Sequence, residues 1–248
     1  MTPPSGAAGH HTALVTVAVG AVAMSGLAMV FAAILDNVVD GDGIAAIDGP
    51  LTRWVAGHRY HGLTTAMITL TRLGDPLIII GVMAVVAAAV AGLTRTVAPL
   101  GIGMLGVAGF LLAVVAVKFA VGRPRPELPH PVAAVDGSSF PSGHSTGVCV
   151  VAIISAWLLT RWCVRSRAGQ VAVWTIALTA VAGVGFSRVY LGVHYLSDVL
   201  AGWVLGALWA GVAIGATRLW EARPSPRSPA LAVRGRDDQG APGGDIES

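Results

Sequence analysis

Three clusters of polar residues interrupt an otherwise apolar chain of 248 residues. The first is Lys118, followed by Arg123-Pro124-Arg125-Pro126. Each proline lacks an N–H and restricts the residue before it, so a helix must stop there and its cations gather at one end. The second is Ser139-Phe140-Pro141-Ser142-Gly143-His144-Ser145. Ser142 is a natural N-cap, Gly143 lets a ligand approach the backbone, and His144 falls in the first turn. A helix start offers free N–H groups and a partial positive charge, which together suit an anion. The third is Ser187-Arg188, then His194, then Asp198. Four apart, His194 and Asp198 share a face if both are helical. A carboxylate there accepts the Nδ1–H bond, fixes the tautomer and leaves Nε2 as base or nucleophile.

Each cluster alone has an ordinary explanation. Lysine and arginine snorkel at helix ends, Ser142 can cap without binding anything, and a His–Asp pair can be purely structural. Together they supply four cations, an anion-binding helix start and two histidines, one with a carboxylate partner. That inventory suits phosphoryl transfer through a covalent intermediate: cations and N–H groups hold the equatorial oxygens, one histidine attacks, and the other handles the leaving group's proton. No run of His, Cys and carboxylates has metal-ligand spacing, and no P-loop is present in the sequence, so no metal or cofactor is expected.

The elements that position these clusters are membrane helices. Apolar residues make up 54% of the chain and charged residues 12%, with a mean hydropathy of +0.73. An ordinary soluble domain carries about twice that charge, so a bilayer is the solvent these numbers imply. One lysine and fifteen arginines spread thinly make no nucleic-acid footprint. Uncharged runs at 12–35, 76–94, 96–117, 145–160, 168–187 and 199–217 approach the roughly 20 residues that a spanning helix needs. The expected fold is therefore all-α, an integral membrane bundle of six transmembrane helices. The first run reads as a retained helix rather than a cleaved signal, because no Lys or Arg precedes it and its apolar stretch is long. Arg95 alone separates the second run from the third, which predicts a tight helical hairpin. Cys149 and Cys163 would lie roughly 21 Å apart on one helix, too far to bridge.

Between the first two runs, Leu63, Ala66, Met67 and Leu70 recur at helical spacing, with Leu51, Trp54 and Val55 ahead of them. This predicts an interfacial helix between the first and second membrane helices, with a packed extramembrane helix the equal alternative. The expected layout is an N-terminal tail at 1–11, a membrane domain at 12–220 and a flexible Pro-, Gly- and Arg-rich tail at 221–248. With six helices both termini share a side. Nine arginines would lie there against seven cations opposite, and four of those seven belong to the polar clusters. The positive-inside rule then sets the termini in the cytoplasm and all three clusters at the outer face of a cell (inner) membrane.

At this point the chain resembles a known family. Lys118-x6-Arg125-Pro126, Pro141-Ser142-Gly143-His144 and Ser187-Arg188-x5-His194-x3-Asp198 are similar to the three-part signature of the type 2 phosphatidic acid phosphatases, the lipid phosphate phosphatases. The resemblance implies that His194 attacks phosphorus to give a phosphohistidine, oriented by Asp198. It implies that His144 is the general acid and then the general base. Lys118, Arg125, Arg188, Ser142 and the Gly143 amide would hold the phosphoryl oxygens, with no metal required. The soluble vanadium haloperoxidases share these motifs, but the chain is far too apolar to be one.

The implied partner is a membrane lipid phosphate whose tail stays in the bilayer. A polyprenyl (undecaprenyl) diphosphate is the leading expectation, followed by phosphatidylglycerol phosphate and phosphatidic acid. A phosphotransferase using the same intermediate is a sibling reading. A transporter would need polar groups near the midplane rather than at helix ends, and a non-catalytic lipid-binding relative would not need the full His–His–Asp set. Oligomeric state, the role of Arg123, and the parts played by the 36–75 segment and by Glu127, His130 and Asp136 are left open by the sequence.

Overall fold

The computed structural model describes residues 5–128, 132 and 136–221, and His130 and the tail after Glu221 lie outside them. Among the described residues eight α-helices follow one another: α1 (Ser5–Asp40), α2 (Gly43–Gly57), α3 (His61–Thr71), α4 (Pro76–Thr94), α5 (Ala98–Val121), α6 (Gly143–Trp162), α7 (Arg167–Tyr190) and α8 (Leu196–Glu221). No strand occurs among the described residues. Six helices, α1 and α4 to α8, are long and apolar enough to cross a membrane, matching the six uncharged runs. The chain is a multi-pass membrane protein. Large apolar side chains such as Leu77, Val85, Met104 and Phe119 stay exposed on the helix flanks, where lipid rather than water is their natural neighbour.

The observed helices extend past the runs that betrayed them. α1 begins at Ser5, inside the expected N-terminal tail. α5, α6, α7 and α8 take in Lys118, His144, Arg188 and Asp198 at their ends. Charge ended the hydropathy signal before the backbone ended the helix. The 36–75 segment holds two helices, α2 and α3, where one interfacial helix was expected, and a 3-10 turn at Arg72–Gly74 leads from α3 into α4. The α4–α5 hairpin forms as the lone Arg95 predicted, with Arg95 itself in the left-handed conformation at φ 55°.

α6 is the central post, packed against α4, α5, α7 and α8. Its tightest partner is α8, and two glycines one turn apart make that approach possible. A Cβ on Gly202 would lie 2.9 Å from the Ser142 carbonyl oxygen, and one on Gly206 would lie 2.7 Å from Cys149 Cβ. Small residues four apart are how membrane helices come into backbone contact, since lipid gives apolar side chains little reason to associate. The core beneath is apolar, with Val90, Phe110, Val150, Ile154 and Leu158 almost fully buried. This packing brings the last turns of α5 and α7 and the first turns of α4, α6 and α8 to one end of the bundle.

Candidate active site

Ser142 caps α6 as its sequence predicted: its backbone is extended and its Oγ accepts from the Ser145 N–H at 3.4 Å. The Ser145 hydroxyl also donates to it at 3.0 Å, so the Ser142 proton is what that side chain can offer a ligand. The Ser142 N–H donates to the Asp198 carbonyl at 3.0 Å, tying the starts of α6 and α8 together. At Gly143 a Cβ would meet Val114 Cγ1 at an ordinary 3.6 Å, so protein packing by itself does not demand glycine there.

His194 and Asp198 do not share a helix face. α8 starts at Leu196, and His194 sits in the turn before it, from which the imidazole folds back over the first turn of the helix. Its Nδ1 lies 3.4 Å from Asp198 Oδ2 and 3.4 Å from Ser139 Oγ. The Asp198 carboxylate is fully buried and held from every side. It accepts from Ser139 Oγ, from the Tyr195 N–H at 2.9 Å, and from Arg123 Nη1 at 2.7 Å. Arg123, whose role the sequence left open, bridges Asp198 to Asp48 of α2, which it meets at 2.8 Å. Burial works against the Arg123 charge, but Asp198 and Asp48 outweigh it and hold its pKa above the ordinary arginine value.

On its other side, His194 Nε2 lies 3.3 Å from Arg125 Nη1. Arg125 is fixed by backbone carbonyls: Nη1 donates to Val193 O at 2.8 Å and Nε to Gly137 O at 3.0 Å. Lys118 donates to the Ser138 carbonyl. Burial pushes the His194 imidazole down to about 4, against the pull of Asp198 and with help from Arg188 and Arg125. At neutral pH the ring is therefore uncharged. A proton on Nδ1, facing Asp198, leaves the Nε2 lone pair directed at a cation.

Arg188 is buried at the end of α7. Its Nη1 donates to Thr71 Oγ1 at 2.7 Å, while its buried Nε has no hydrogen-bond partner among the described residues. His144, in the first turn of α6, places Nε2 3.0 Å from Asp75 Oδ1. The eight residues singled out in the sequence thus meet at one end of the bundle. The sequence reading missed their partners Asp48, Thr71 and Asp75, and gave Ser139 no role of its own. For Asp75 a signal existed, because Asp followed by Pro marks a helix start at the same boundary. For Asp48 and Thr71, each one polar residue on an amphipathic helix, there was none. Among the described residues no three His, Cys, Asp or Glu side chains group as metal ligands.

Beside the charged end, an apolar groove of about 300 Å³ runs between α4, α6 and α7. Leu73 and Ile78 line one part of it, and Val151, Leu159 and Ile176 line others. Leu73 belongs to the turn whose Gly74 presses on His144, where a Cβ would fall 2.9 Å from the ring.

A helical bundle that sets two histidines, each beside an aspartate, among cations at one end defines a class. Residues 99–221 match the model of the PAP2 superfamily, and that part of the chain belongs to it. The stretch holds every residue of the signature, while Asp48, Thr71 and Asp75 lie outside it. Among curated relatives, phosphatidylglycerophosphatase B of Bacillus subtilis is 40% identical over 36% of this chain and 43% of its own length. Undecaprenyl-diphosphatase of Sulfolobus acidocaldarius is 35% identical over 28% of this chain and 29% of its own. The matches thus span less than half of these relatives. The fold is similar to the crystal structure of a transmembrane PAP2-type phosphatidylglycerolphosphate phosphatase from Bacillus subtilis, with a TM-score of 0.74, 24% identity, and coverage of 81% of this chain and 98% of that one.

Proposed function

We propose that this chain is an integral membrane lipid phosphatase that removes a phosphate from a lipid monoester or diphosphate through a phosphohistidine, without a metal ion. The observation that carries the reading is the environment of His194. One ring nitrogen faces a buried carboxylate and the other faces the Arg125 guanidinium, so a phosphoryl group held by Arg125 lies against the nucleophilic nitrogen. Lys118, Arg188, the Ser142 hydroxyl and the Gly143 N–H supply further positive ends for its oxygens. A phosphoryl oxygen over Gly143 also explains a glycine that protein packing does not require. His144 gives its proton to the departing oxygen and afterwards takes one from the attacking water.

Polyprenyl diphosphate is the substrate placed first and phosphatidylglycerol phosphate the second, and each is a substrate that the name of one of the curated relatives above gives for that relative. The apolar groove beside the site suits the tail of either. The termini lie in the cytoplasm and the site at the outer face of the cell membrane, following the distribution of arginines.

The test is phosphate release by the detergent-purified full chain in EDTA, with wild type beside His194→Ala. The panel holds undecaprenyl diphosphate, phosphatidylglycerol phosphate and phosphatidic acid. Release by wild type alone is expected. Equal release by His194→Ala would remove the nucleophile, and activity lost in EDTA and restored by Mg²⁺ would overturn the metal-free route. His194 is nearly fully buried, so His194→Gln accompanies the alanine variant as a gentler change in packing.

A further inference from the structure

We propose that Asp75 is a positioning residue for His144, giving the site a second carboxylate–imidazole pair beside His194 and Asp198. The proposal rests on the phosphatase reading above. Asp75 is the N-cap of α4, with extended backbone at φ −63° and ψ 138°. An aspartate there ordinarily turns its carboxylate back onto a free N–H of its own helix. Asp75 makes no such bond. Its Oδ1 instead reaches across to another helix and meets His144 Nε2 at 3.0 Å.

The surrounding backbone is set to hold that reach. The Asp75 N–H donates to the Arg72 carbonyl at 2.9 Å, and its own carbonyl accepts from Ile78 and Ile79 at 2.9 and 3.0 Å. The preceding Gly74 lies flat against the imidazole, since a Cβ there would stand 2.9 Å from His144 Cδ2 and 3.0 Å from His144 Cβ. A larger residue at 74 would push the ring out of place. The same short segment sends Thr71 to Arg188 at 2.7 Å. Residues 71–75 therefore hold two of the site's residues, a cation and an acid–base histidine, without belonging to the signature.

The chemical consequence concerns which nitrogen works. With Nε2–H donated to Asp75, Nδ1 is the nitrogen left for the reacting oxygens. His194 Nε2 forms the N–P bond as the P–O bond to the lipid breaks, and the Nδ1 proton of His144 passes to the departing oxygen to give a neutral alcohol. The ring keeps Nε2–H on Asp75. Nδ1 then takes a proton from water as that water's oxygen bonds to phosphorus and the N–P bond breaks, which frees inorganic phosphate and restores both histidines. The Asp75 side chain is 46% exposed, whereas that of Asp198 is wholly buried. A pair so open to solvent adds little to stability, so its loss should register in turnover and not in melting.

The experiment compares Asp75→Ala with wild type on two substrates. One is a long-chain lipid phosphate, whose alkoxide must be protonated to leave. The other is an aryl phosphate bearing an alkyl tail, whose phenolate leaves unaided. Since kcat/KM covers only steps through bond cleavage, Asp75→Ala should lower it by about 10- to 100-fold on the alkyl substrate, short of the 10²–10⁴ that general acid–base catalysis contributes. It should lower it by less than about threefold on the aryl one. Equal losses on both would make Asp75 structural and overturn the proposal, as would no loss on either. A second measurement does not depend on activity. In ¹⁵N-histidine NMR of the full chain in micelles, the Nε2 resonance of His144, assigned by its disappearance in His144→Gln, should move in Asp75→Ala while those of His194 stay. An unmoved His144 resonance overturns the pairing. If wild type cleaves neither substrate, the phosphatase reading fails, and the NMR result alone then sustains or overturns the Asp75–His144 pair.

Discussion

The two ends of the bundle use arginine in opposite ways. At the end that carries the site, Arg123 and Arg188 are buried or nearly so, and each is committed by its hydrogen bonds to a fixed direction. Arg125 is held there by three backbone carbonyls. At the other end, Arg161 lies half-exposed beside Glu221, with its guanidinium 5.1 Å from the centre of the Trp162 ring and 5.6 Å from that of Trp157. Arg218 rests over Trp157 at 5.9 Å. The second arrangement is what a membrane boundary asks of any cation: an aromatic belt, a flexible stem and free access to water. The first is costly, because buried charge is tolerated only when partners offset its desolvation. That cost, accepted at one end and not at the other, is what the proposed phosphatase site would account for.

The sharpest way to break the contrast is to neutralise the carboxylate on which the site end converges. Asp198→Asn removes the charge that Arg123, Ser139 and the Tyr195 N–H all address, and it upsets the tautomer of His194. In a hydrolase where an aspartate orients a catalytic histidine, the same change costs about 10⁴ in kcat. A loss of at least about 10³ is expected here, read as phosphate release on the best substrate of the panel. A loss under about tenfold would mean that another group orients His194.

The next effect in size separates holding from reacting. Asp48 belongs to α2, is almost fully buried, and accepts from Arg123 Nη2, from the Ser197 N–H at 3.1 Å and from the Ser197 hydroxyl. Removing one partner of a buried ion pair costs about 3–5 kcal/mol. Since Arg123 keeps Asp198, Asp48→Asn should fall near the low end, about 3 kcal/mol, in denaturant unfolding of the protein in detergent. Its kcat should drop by less than about tenfold, because His194 and Asp198 remain paired. The reverse pattern, full stability with turnover as poor as in Asp198→Asn, would make Asp48 part of the reaction and not of its support.

This division also marks what the sequence could and could not tell. The six membrane helices were legible because hydropathy over about 20 residues is a one-dimensional signal. Lys118, Arg125, His144, Arg188, His194 and Asp198 were legible because their spacing places them at helix ends on one side of the membrane. The supports came from elsewhere in the chain. Asp48, Thr71 and Asp75 lie 75, 117 and 69 residues from Arg123, Arg188 and His144, the partners that give them meaning. No periodicity links them. The reading of His194 and Asp198 as one helix face failed for a related reason. Spacing alone cannot say where a helix starts, and here α8 begins two residues after His194, so the pair closes through a turn instead.

The smallest effect tests the other end. Arg161 donates to Glu221 at 3.0 Å, with both side chains 37% exposed. Exposed pairs contribute about 0–1 kcal/mol, and a guanidinium over an open aromatic face contributes about 0.5–1. Arg161→Ala should therefore shift stability by no more than about 1 kcal/mol. It should leave kcat and KM for the preferred lipid unchanged, because its partners Glu221, Trp157 and Trp162 lie at the end of the bundle away from α6's first turn. Raised salt should shrink even the small stability change, since exposed charges are screened over about 10 Å at 0.1 M, while the Asp48→Asn effect should hardly respond. If Arg161→Ala instead cut turnover severalfold without unfolding the protein, the two ends would be coupled through α6, and the division between a boundary end and a chemical end would have to be given up.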